Sequence, residues 1–180
     1  MTAGQAMFDA SKAASDFDAA FRAGATAGLR VRAEDGADEA FLRELFVASW
    51  PLRDMLPEPL RSQQIDLHLA AFRRGLPDDV MRRIVVDPTG TPIGRLIIDW
   101  RHAAGSYCAD IAVLPQHGGR GVGTALLRAW IATAAAHGLD CALTVAPDNP
   151  ARALYARLGF QEQPQDFVSA GVEMRLAPPG

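Results

Sequence analysis

Hydrophobic and polar positions along the chain follow two periods, and the change between them separates strands from helices. Short apolar or alternating runs predict strands at residues 29–32, 80–86, 93–100, 107–114, 139–146 and 171–176. Apolar positions three and four apart predict helices at residues 35–48, 60–73, 124–137 and 149–158. The apolar faces of the first three helices contain Phe41, Leu45 and Ala48, then Ile65, Leu69 and Phe72, then Leu127, Trp130, Ile131 and Ala134. This mixture of strands and helices indicates the α/β class.

The first 27 residues have a different composition from the rest, being rich in Ala, Asp, Ser and Gly. Phe17 and Phe21 are four residues apart, which allows a short amphipathic helix. A frayed terminal segment explains the same composition equally well. We therefore expect a flexible or helical leader at residues 1–27 and a single domain at residues 28–180.

Composition excludes several classes of partner. The chain has 180 residues, 49% of them hydrophobic, and a net charge of −3 with scattered arginines, so we expect no nucleic-acid surface. No apolar stretch reaches the ~18 residues of a membrane span, so we expect no membrane partner. The four histidines are far apart in sequence, and we expect no metal site. Cys108 and Cys141 fall in predicted strands, which indicates buried thiols in a reducing, cytoplasmic compartment; high Ala and Arg usage fits a bacterial protein.

Residues 107–128 combine a strand, a glycine-rich loop and the start of a helix. The strand contains Ile111 and Val113, and the loop from Gln116 to Gly123 has glycines at positions 118, 119, 121 and 123. Such a loop turns bare backbone N–H groups toward one point, and the dipole of the following helix adds roughly half a positive charge there. The stretch therefore predicts an anion site.

Two common nucleotide-binding motifs do not fit this loop. A P-loop requires a Gly-Lys pair, and none occurs in the chain. A dinucleotide fingerprint requires Gly-x-Gly-x-x-Gly, and the glycines at 119, 121 and 123 lack the third glycine at that spacing. A nucleotide-binding or redox protein is accordingly not expected.

The segment Arg120-Gly121-Val122-Gly123 resembles the acetyl-CoA loop of the GNAT superfamily of N-acetyltransferases, which reads Gln/Arg-x-x-Gly-x-Gly/Ala. Gly118 departs from that pattern, since it stands where the family has Gln or Arg. Residues 143–160 resemble the family's second hallmark, in which a strand ends in a polar turn with an Asn, a short helix carries a Tyr, and Gly-Phe opens the next strand. The two motifs stand in the family's order.

The resemblance covers the chain from about Leu29 to its end, with specific motifs only in residues 110–160. It implies the GNAT fold, a mixed, mostly antiparallel central sheet flanked by helices on both faces. It also implies that the two helices after the first strand lie over the acceptor site. The loop Trp50–Pro59 between them is therefore a candidate specificity element, or equally a simple connection.

The resemblance implies acetyl transfer from acetyl-CoA to a primary amine of a small molecule or peptide. The pyrophosphate would lie on backbone amides of the loop, and the pantetheine arm along the strand before it. The cofactor-binding residues so implied are Ile111, Ala112, Val113, Gly118, Gly119, Arg120, Gly121, Val122, Gly123, Thr124 and Asn149. Arg120 serves equally well as a solvated charge, and Asn149 as a helix cap.

Tyr155 and Asp110 are the candidate catalytic residues. Tyr155 stands where the family places a tyrosine, and a phenol with a pKa near 10 can give a proton to the CoA thiolate, whose thiol pKa is about 8.5. The alternative role for Tyr155 is that of an aromatic side chain packed in the core. Asp110, a charge in an apolar run, is the first candidate for the base that deprotonates the amine, followed by Asp99 and His102. An ordinary ion pair or a solvent-facing position is the simpler interpretation of all three.

Two functions stay open at this stage. One is an acetyl-CoA-dependent N-acetyltransferase, favoured by Tyr155 and by Gly121-Val122-Gly123. The other is a non-catalytic module that holds acyl-CoA as a sensor or partner, favoured weakly by Gly118. Acetyl-CoA, an amine-bearing acceptor and, because dimers are frequent in this family, a second copy of the chain are the partners implied.

Overall fold

The computed structural model describes residues 8–25, 28–49, 57–164 and 171–178. Single 3₁₀ turns at Gly36–Asp38 and Pro115–His117 precede the second and fourth helices. In chain order the helices and strands are α1 (Ala10–Gly24), β1 (Arg30–Ala33), α2 (Glu39–Ser49), α3 (Leu60–Arg74), β2 (Met81–Val86), β3 (Pro92–Asp99), β4 (Ser106–Val113), α4 (Val122–Ala136), β5 (Cys141–Val145), α5 (Ala151–Arg157), β6 (Gln161–Glu162) and β7 (Val172–Leu176).

The strands within these described ranges form one sheet in the order β1-β2-β3-β4-β5-β7-β6. Neighbouring strands run antiparallel except β4 and β5, which are parallel. A parallel pair needs a crossover connection, and here the connection contains α4. The predicted fold, a mixed and mostly antiparallel sheet with helices on both faces, is confirmed.

The parallel strands β4 and β5 pair over only part of their length. Their ladder begins with Ser106 opposite Cys141 and ends with Cys108 opposite Leu143. Strand β4 nevertheless continues to Val113, where it is still paired with β3 on its other side. The sheet therefore opens between β4 and β5, and one edge of β4 beyond Cys108 has no strand beside it in the described structure.

A bulge in β4 lies at the point where the sheet opens. Cys108 pairs with Ile98 of β3 and Asp110 with Ile97, so Ala109 is an extra residue. In a regular strand, residues 108 and 110 would face the same side of the sheet. The extra residue places Cys108 in the main core and Asp110 on the opposite face, next to Arg95.

The sheet separates two layers of helices. On one face, α1 and α4 pack with Val85 and Leu96 in the main core. On the other face, α2 packs against Ile84. Helix α3 lies on the side of α2, because its Phe72 ring lies 5.2 Å from Cζ of Arg95, and Arg95 alternates with Leu96 along β3.

Helix α1 contributes directly to the main core. Asp9 caps its start by accepting a 3.0 Å hydrogen bond from the N–H of Lys12. Ala13, Phe17 and Phe21, each four residues apart, are fully buried. Residues 10–24 thus form the amphipathic helix that the Phe17/Phe21 spacing allowed. The division of the chain at residue 27 stays a prediction.

The predicted elements are present, with small shifts at their ends, but the predicted inner face of α2 is wrong in part. Leu42 and Leu45 are its buried residues, Phe41 is half-buried and packs against the cluster of Leu42 and Ile84, and Ala48 is only half-buried. A 3₁₀ turn, in which Asp38 accepts a 2.7 Å hydrogen bond from Arg32, precedes α2 and delays its start. The loop Trp50–Pro59 lies mostly outside the described residues.

Candidate functional site

Glycines set the backbone path between β4 and α4. Gly119 and Gly121 have φ angles of 71° and 81°, in the left-handed region that side-chain-bearing residues rarely adopt. Before them, the N–H of His117 donates to Leu114 O at 2.8 Å and the N–H of Gly118 to Pro115 O at 3.0 Å. The chain therefore leaves a tight turn and reaches the start of α4 within a few residues.

The backbone N–H groups from Gly119 to Thr124 are open. None of them has an acceptor in the described part of the chain, and the hydrogen bonds of α4 begin with Ala125 N–H donating to Gly121 O at 2.9 Å. Gly121 at the N-cap offers no side-chain acceptor, and the first turn of α4 has no acidic residue. Consecutive open amides at the positive end of a helix dipole favour an anion.

Three other predicted cofactor residues differ in their contacts within the protein. The N–H of Gly118 is already used within the turn, so it is not an open amide. Arg120 is exposed and has no ion-pair partner among the residues described. Asn149 caps α5, since its Oδ1 accepts a 2.9 Å hydrogen bond from the N–H of Ala151. Contacts of these residues with a cofactor stay predictions.

Tyr155 lies close to the opening between β4 and β5. Helix α5 buries its ring against Phe160, with ring centroids 6.1 Å apart. Burial raises the pKa of the phenol above its ordinary value, and the nearby charges of Cys108 and Asp110 raise it further. The phenol is therefore protonated at neutral pH and stands within electrostatic reach of the β4 bulge.

Asp110 forms an ion pair with Arg95 of β3. Nε of Arg95 donates to Oδ2 of Asp110 at 2.8 Å, and the two side chains are 10% and 25% exposed. Burial raises the pKa of the Asp110 carboxyl, and Arg95 opposes this shift only in part. A carboxylate whose pKa is shifted toward neutrality is better matched to proton abstraction than an ordinary one.

Sequence reasoning did not single out Arg95 or Glu34, which the fold brings to the same face. Glu34 follows β1, and its N–H donates to Arg82 O at 3.4 Å. Burial raises the pKa of Glu34, whose Oε2 is buried without a partner in the described residues. Arg95 carried a usable signal, an arginine inside the apolar run 93–98, whereas the position of Glu34 depends on long-range strand pairing.

The two other base candidates, at the end of β3 and shortly after it, have local roles. Asp99 accepts a 2.9 Å hydrogen bond from the N–H of Arg101. The ring of His102 stacks on Tyr107, with centroids 4.6 Å apart. Of the three predicted candidates, Asp110 is the one whose charge reaches Tyr155.

The described residues do not include a side-chain cluster of the kind that a metal site needs. Among them, no three His, Cys, Asp or Glu side chains come together in a way that could hold a metal ion. Cys108 and Cys141 are buried and unbridged, and burial raises the pKa of Cys141 to about 12. None of the described helices combines the length and apolarity needed to cross a bilayer.

Solved structures of acetyltransferases share this fold. A PaiA N-acetyltransferase from Thermoplasma acidophilum, in complex with coenzyme A, has a TM-score of 0.62 at 17% identity, over 83% of this chain and 98% of that one. A chimera of the spermidine N-acetyltransferase SpeG from Vibrio cholerae has a TM-score of 0.61 at 21% identity, over 83% and 95%. YncA from Salmonella typhimurium, with its cofactor acetyl-CoA, has a TM-score of 0.53 at 19% identity, over 84% and 95%.

Sequence comparison identifies the family. No curated protein matches the chain. The model of the acetyltransferase (GNAT) family matches residues 27–160, which include both motifs discussed above. Because this match spans well over half of the sequence, the chain belongs to the acetyltransferase (GNAT) family.

Proposed function

We propose that this protein transfers the acetyl group of acetyl-CoA to a primary amine of a small molecule or peptide. The observation that carries the proposal is the opening between β4 and β5. It leaves an unpaired strand edge beyond Cys108, directly before the loop whose amides from Gly119 to Thr124 are open. A strand edge for an extended arm and an amide cluster for phosphates are the two features that acetyl-CoA requires.

The open amides are suited to the pyrophosphate. They lie at the N-terminus of α4, where the helix dipole favours negative charge, and the exposed Arg120 adds a further cation. Main-chain donors carry this part of the proposal, so the family's missing Gln or Arg at Gly118 removes at most one contact.

The unpaired edge of β4 is suited to the pantetheine arm. An extended ligand can pair with Ile111 to Val113 as an additional strand would, through backbone hydrogen bonds. A strand N–H at this edge would polarise the thioester carbonyl and stabilise the negative charge that develops on its oxygen. Asp110 and Tyr155 would then lie on either side of the reacting carbon.

The two shifted pKa values support the catalytic roles that we propose. Asp110 would accept a proton as the amine nitrogen forms its bond to the acetyl carbon, and its raised pKa makes it a stronger base than an ordinary aspartate. Tyr155, kept protonated by burial, would give its proton to the sulfur as the carbon–sulfur bond breaks. The same low-polarity surroundings also raise the proton affinity of the leaving thiolate, which favours this transfer.

The test is a Tyr155→Phe variant, with Tyr107→Phe as its matched control. We expect Tyr155→Phe to bind acetyl-CoA like the wild type but to lose roughly 10²-fold or more in turnover, the usual scale of acid catalysis. Tyr107→Phe should stay within about threefold of the wild type. Binding is measured by calorimetry, and turnover by thiol release across a panel of amines.

Four outcomes bear on the candidate functions. Selective loss of turnover in Tyr155→Phe supports the enzyme and the role of the phenol. Equal turnover in Tyr155→Phe and the wild type would remove Tyr155 from the mechanism. Acetyl-CoA binding without turnover on any amine would favour the non-catalytic acyl-CoA module, and absence of acetyl-CoA binding would contradict both functions.

A further inference from the structure

The hydrogen bonding of Arg95 is incomplete. The residue is 8% exposed, yet its bond from Nε to Asp110 is the single hydrogen bond that it makes within the described residues. Its two terminal nitrogens donate to nothing there, and neither belongs to the buried unpartnered atoms, so both retain access to solvent. The side chain of Arg95 is thus fixed by one bond at Nε, while its two terminal nitrogens have no protein acceptor and can donate to a ligand that reaches them from solvent.

Neighbouring groups fix the orientation of this guanidinium. The Phe72 ring covers one of its faces at 5.2 Å, and Asp110 holds its Nε edge. Arg95 makes the largest charge interaction with Glu34, but the two do not form an ion pair in the described structure. The open edge is therefore the fork of terminal N–H groups, a geometry that matches a carboxylate or carbonyl oxygen.

Arg82 adds positive charge to the same face. It pairs across the sheet with Ile97, which in turn pairs with Asp110, so the three residues form one cross-strand row. Arg82 has no ion-pair partner among the residues described, and its Nη2 donates a 3.5 Å hydrogen bond to Pro77 O. This face therefore holds two arginines together with the carboxyl groups of Asp110 and Glu34, and the unused donors of the two arginines favour an acceptor that carries an anionic or carbonyl oxygen.

We infer that the acceptor is an α-amino compound, either a free amino acid or the amino end of a peptide. Its amine would lie at Asp110. The carbonyl or carboxylate group attached to the same α-carbon would place an oxygen at the terminal nitrogens of Arg95. The inference rests on the proposed function, because it names the acceptor class of the same site. The bond between Arg95 and Asp110 places the two binding points next to each other, as the short link between the amine and the carbonyl requires.

The acceptor class can be tested with three amines of the same shape. L-leucine carries a carboxylate, L-leucinamide a neutral carbonyl, and 3-methylbutylamine neither. Because the three amines differ in pKa, kcat/KM is calculated on the concentration of unprotonated amine. On that basis we expect the values for the first two to exceed that for 3-methylbutylamine by roughly 10- to 100-fold, the value of a charge-assisted hydrogen bond. A preference for leucine over leucinamide would identify a free amino acid, and the reverse order or equality would identify a peptide amino end.

The matched variants are Arg95→Met and Arg83→Met. Arg83 also forms a half-buried ion pair with an aspartate, Asp18, but on the opposite face of the sheet. We expect Arg95→Met to reduce the preference for the α-amino carbonyl compounds to about one, and Arg83→Met to leave it at its wild-type value. A folding defect lowers the turnover of all three amines alike, so it does not change this ratio.

The outcomes distinguish failure of the inference from failure of the function. Wild-type turnover of 3-methylbutylamine at or above that of leucine and leucinamide would overturn the acceptor class and leave acetyl transfer intact. An unchanged preference in Arg95→Met would overturn the role of Arg95. Absence of turnover on all three amines and on a wider amine panel, with acetyl-CoA bound, would overturn both.

Discussion

Two arginine–aspartate pairs lie on opposite faces of the sheet, with similar burial and different bonding. Arg83 and Asp18 are 14% and 31% exposed, and Arg95 and Asp110 are 10% and 25% exposed. Arg83 uses all three of its nitrogens, at 2.7 and 3.0 Å to the two oxygens of Asp18 and at 3.2 Å to Arg82 O. Arg95 uses Nε alone.

We interpret this difference as one between a structural pair and the pair of the proposed acceptor site. The bidentate pair of Arg83 connects α1 to the sheet, and it leaves none of the three nitrogens without an acceptor. In the Arg95 pair, Nε is the nitrogen that donates to Asp110, and the two terminal nitrogens have no acceptor in the described residues. The number of charges and their burial do not distinguish the two pairs, whereas the count of unused donors does.

The largest expected contrast comes from removing the carboxylate charge of each pair. Asp110→Asn should lower turnover by roughly 10²-fold or more, because it removes the base and frees Arg95. Asp18→Asn should keep turnover within about threefold of the wild type. Asp18→Asn should lower the free energy of unfolding by about 1–2 kcal/mol, between the values of exposed and fully buried pairs. Asp110→Asn should lower it less at neutral pH, because burial disfavours the charged carboxylate that this substitution removes. Thiol-release kinetics and urea unfolding measure the two effects.

Either of two results would contradict this comparison. One is Asp110→Asn with nearly wild-type turnover, which would make its pair as purely structural as that of Arg83. The other is an equal loss of turnover in Asp18→Asn, which would show that the loss arises from disturbed folding.

A smaller effect is expected in the pH dependence of stability. Burial raises the pKa of Asp110, so the folded protein keeps this proton to a higher pH than the unfolded chain does. Its contribution to the free energy of unfolding is therefore fully present below the unfolded pKa of about 3.9 and is lost as pH rises through the folded pKa. Urea unfolding at several pH values should show the difference between wild type and Asp110→Asn falling as pH increases.

Asp38 provides the control of opposite sign. Its hydrogen bonds from Arg32 lower its pKa, so its stabilising contribution is present above about pH 3.9 and is lost as pH falls through the folded pKa. The difference between wild type and Asp38→Asn should therefore rise as pH increases through the acid range. The same slope in both variants would show that the two carboxyl groups do not differ as their surroundings indicate.

The parts of the molecule predicted well from sequence are local in the chain. The glycine loop, its helix and the Tyr155 segment are contiguous stretches, so spacing and residue type define them. The strands within residues 80–113 are predictable because each short apolar run is separated from the next by turn residues. Even there, the prediction for the inner face of α2 is wrong in part, because Leu42 is buried and Ala48 is only half-buried.

The acceptor side of the site depends on strand register, which no short stretch encodes. Arg95 and Asp110 are 15 residues apart, and they meet only because the bulge at Ala109 turns Asp110 to the face of Arg95. The same holds for Glu34, which reaches this face through the pairing of β1 with β2. Sequence reasoning could therefore identify Asp110 as a candidate base without identifying its partner.

The proposed acetyl-CoA site is tested most directly by amide hydrogen exchange with and without acetyl-CoA. The amides from Gly119 to Thr124 are open, and the β4 edge from Ile111 to Val113 faces the gap in the sheet. We expect acetyl-CoA to slow exchange at these two segments, with little change in the β1–β2 pair at the far edge of the sheet. Unchanged exchange at both segments, at saturating acetyl-CoA, would contradict the assignment of the opening as the place where acetyl-CoA and the acceptor meet.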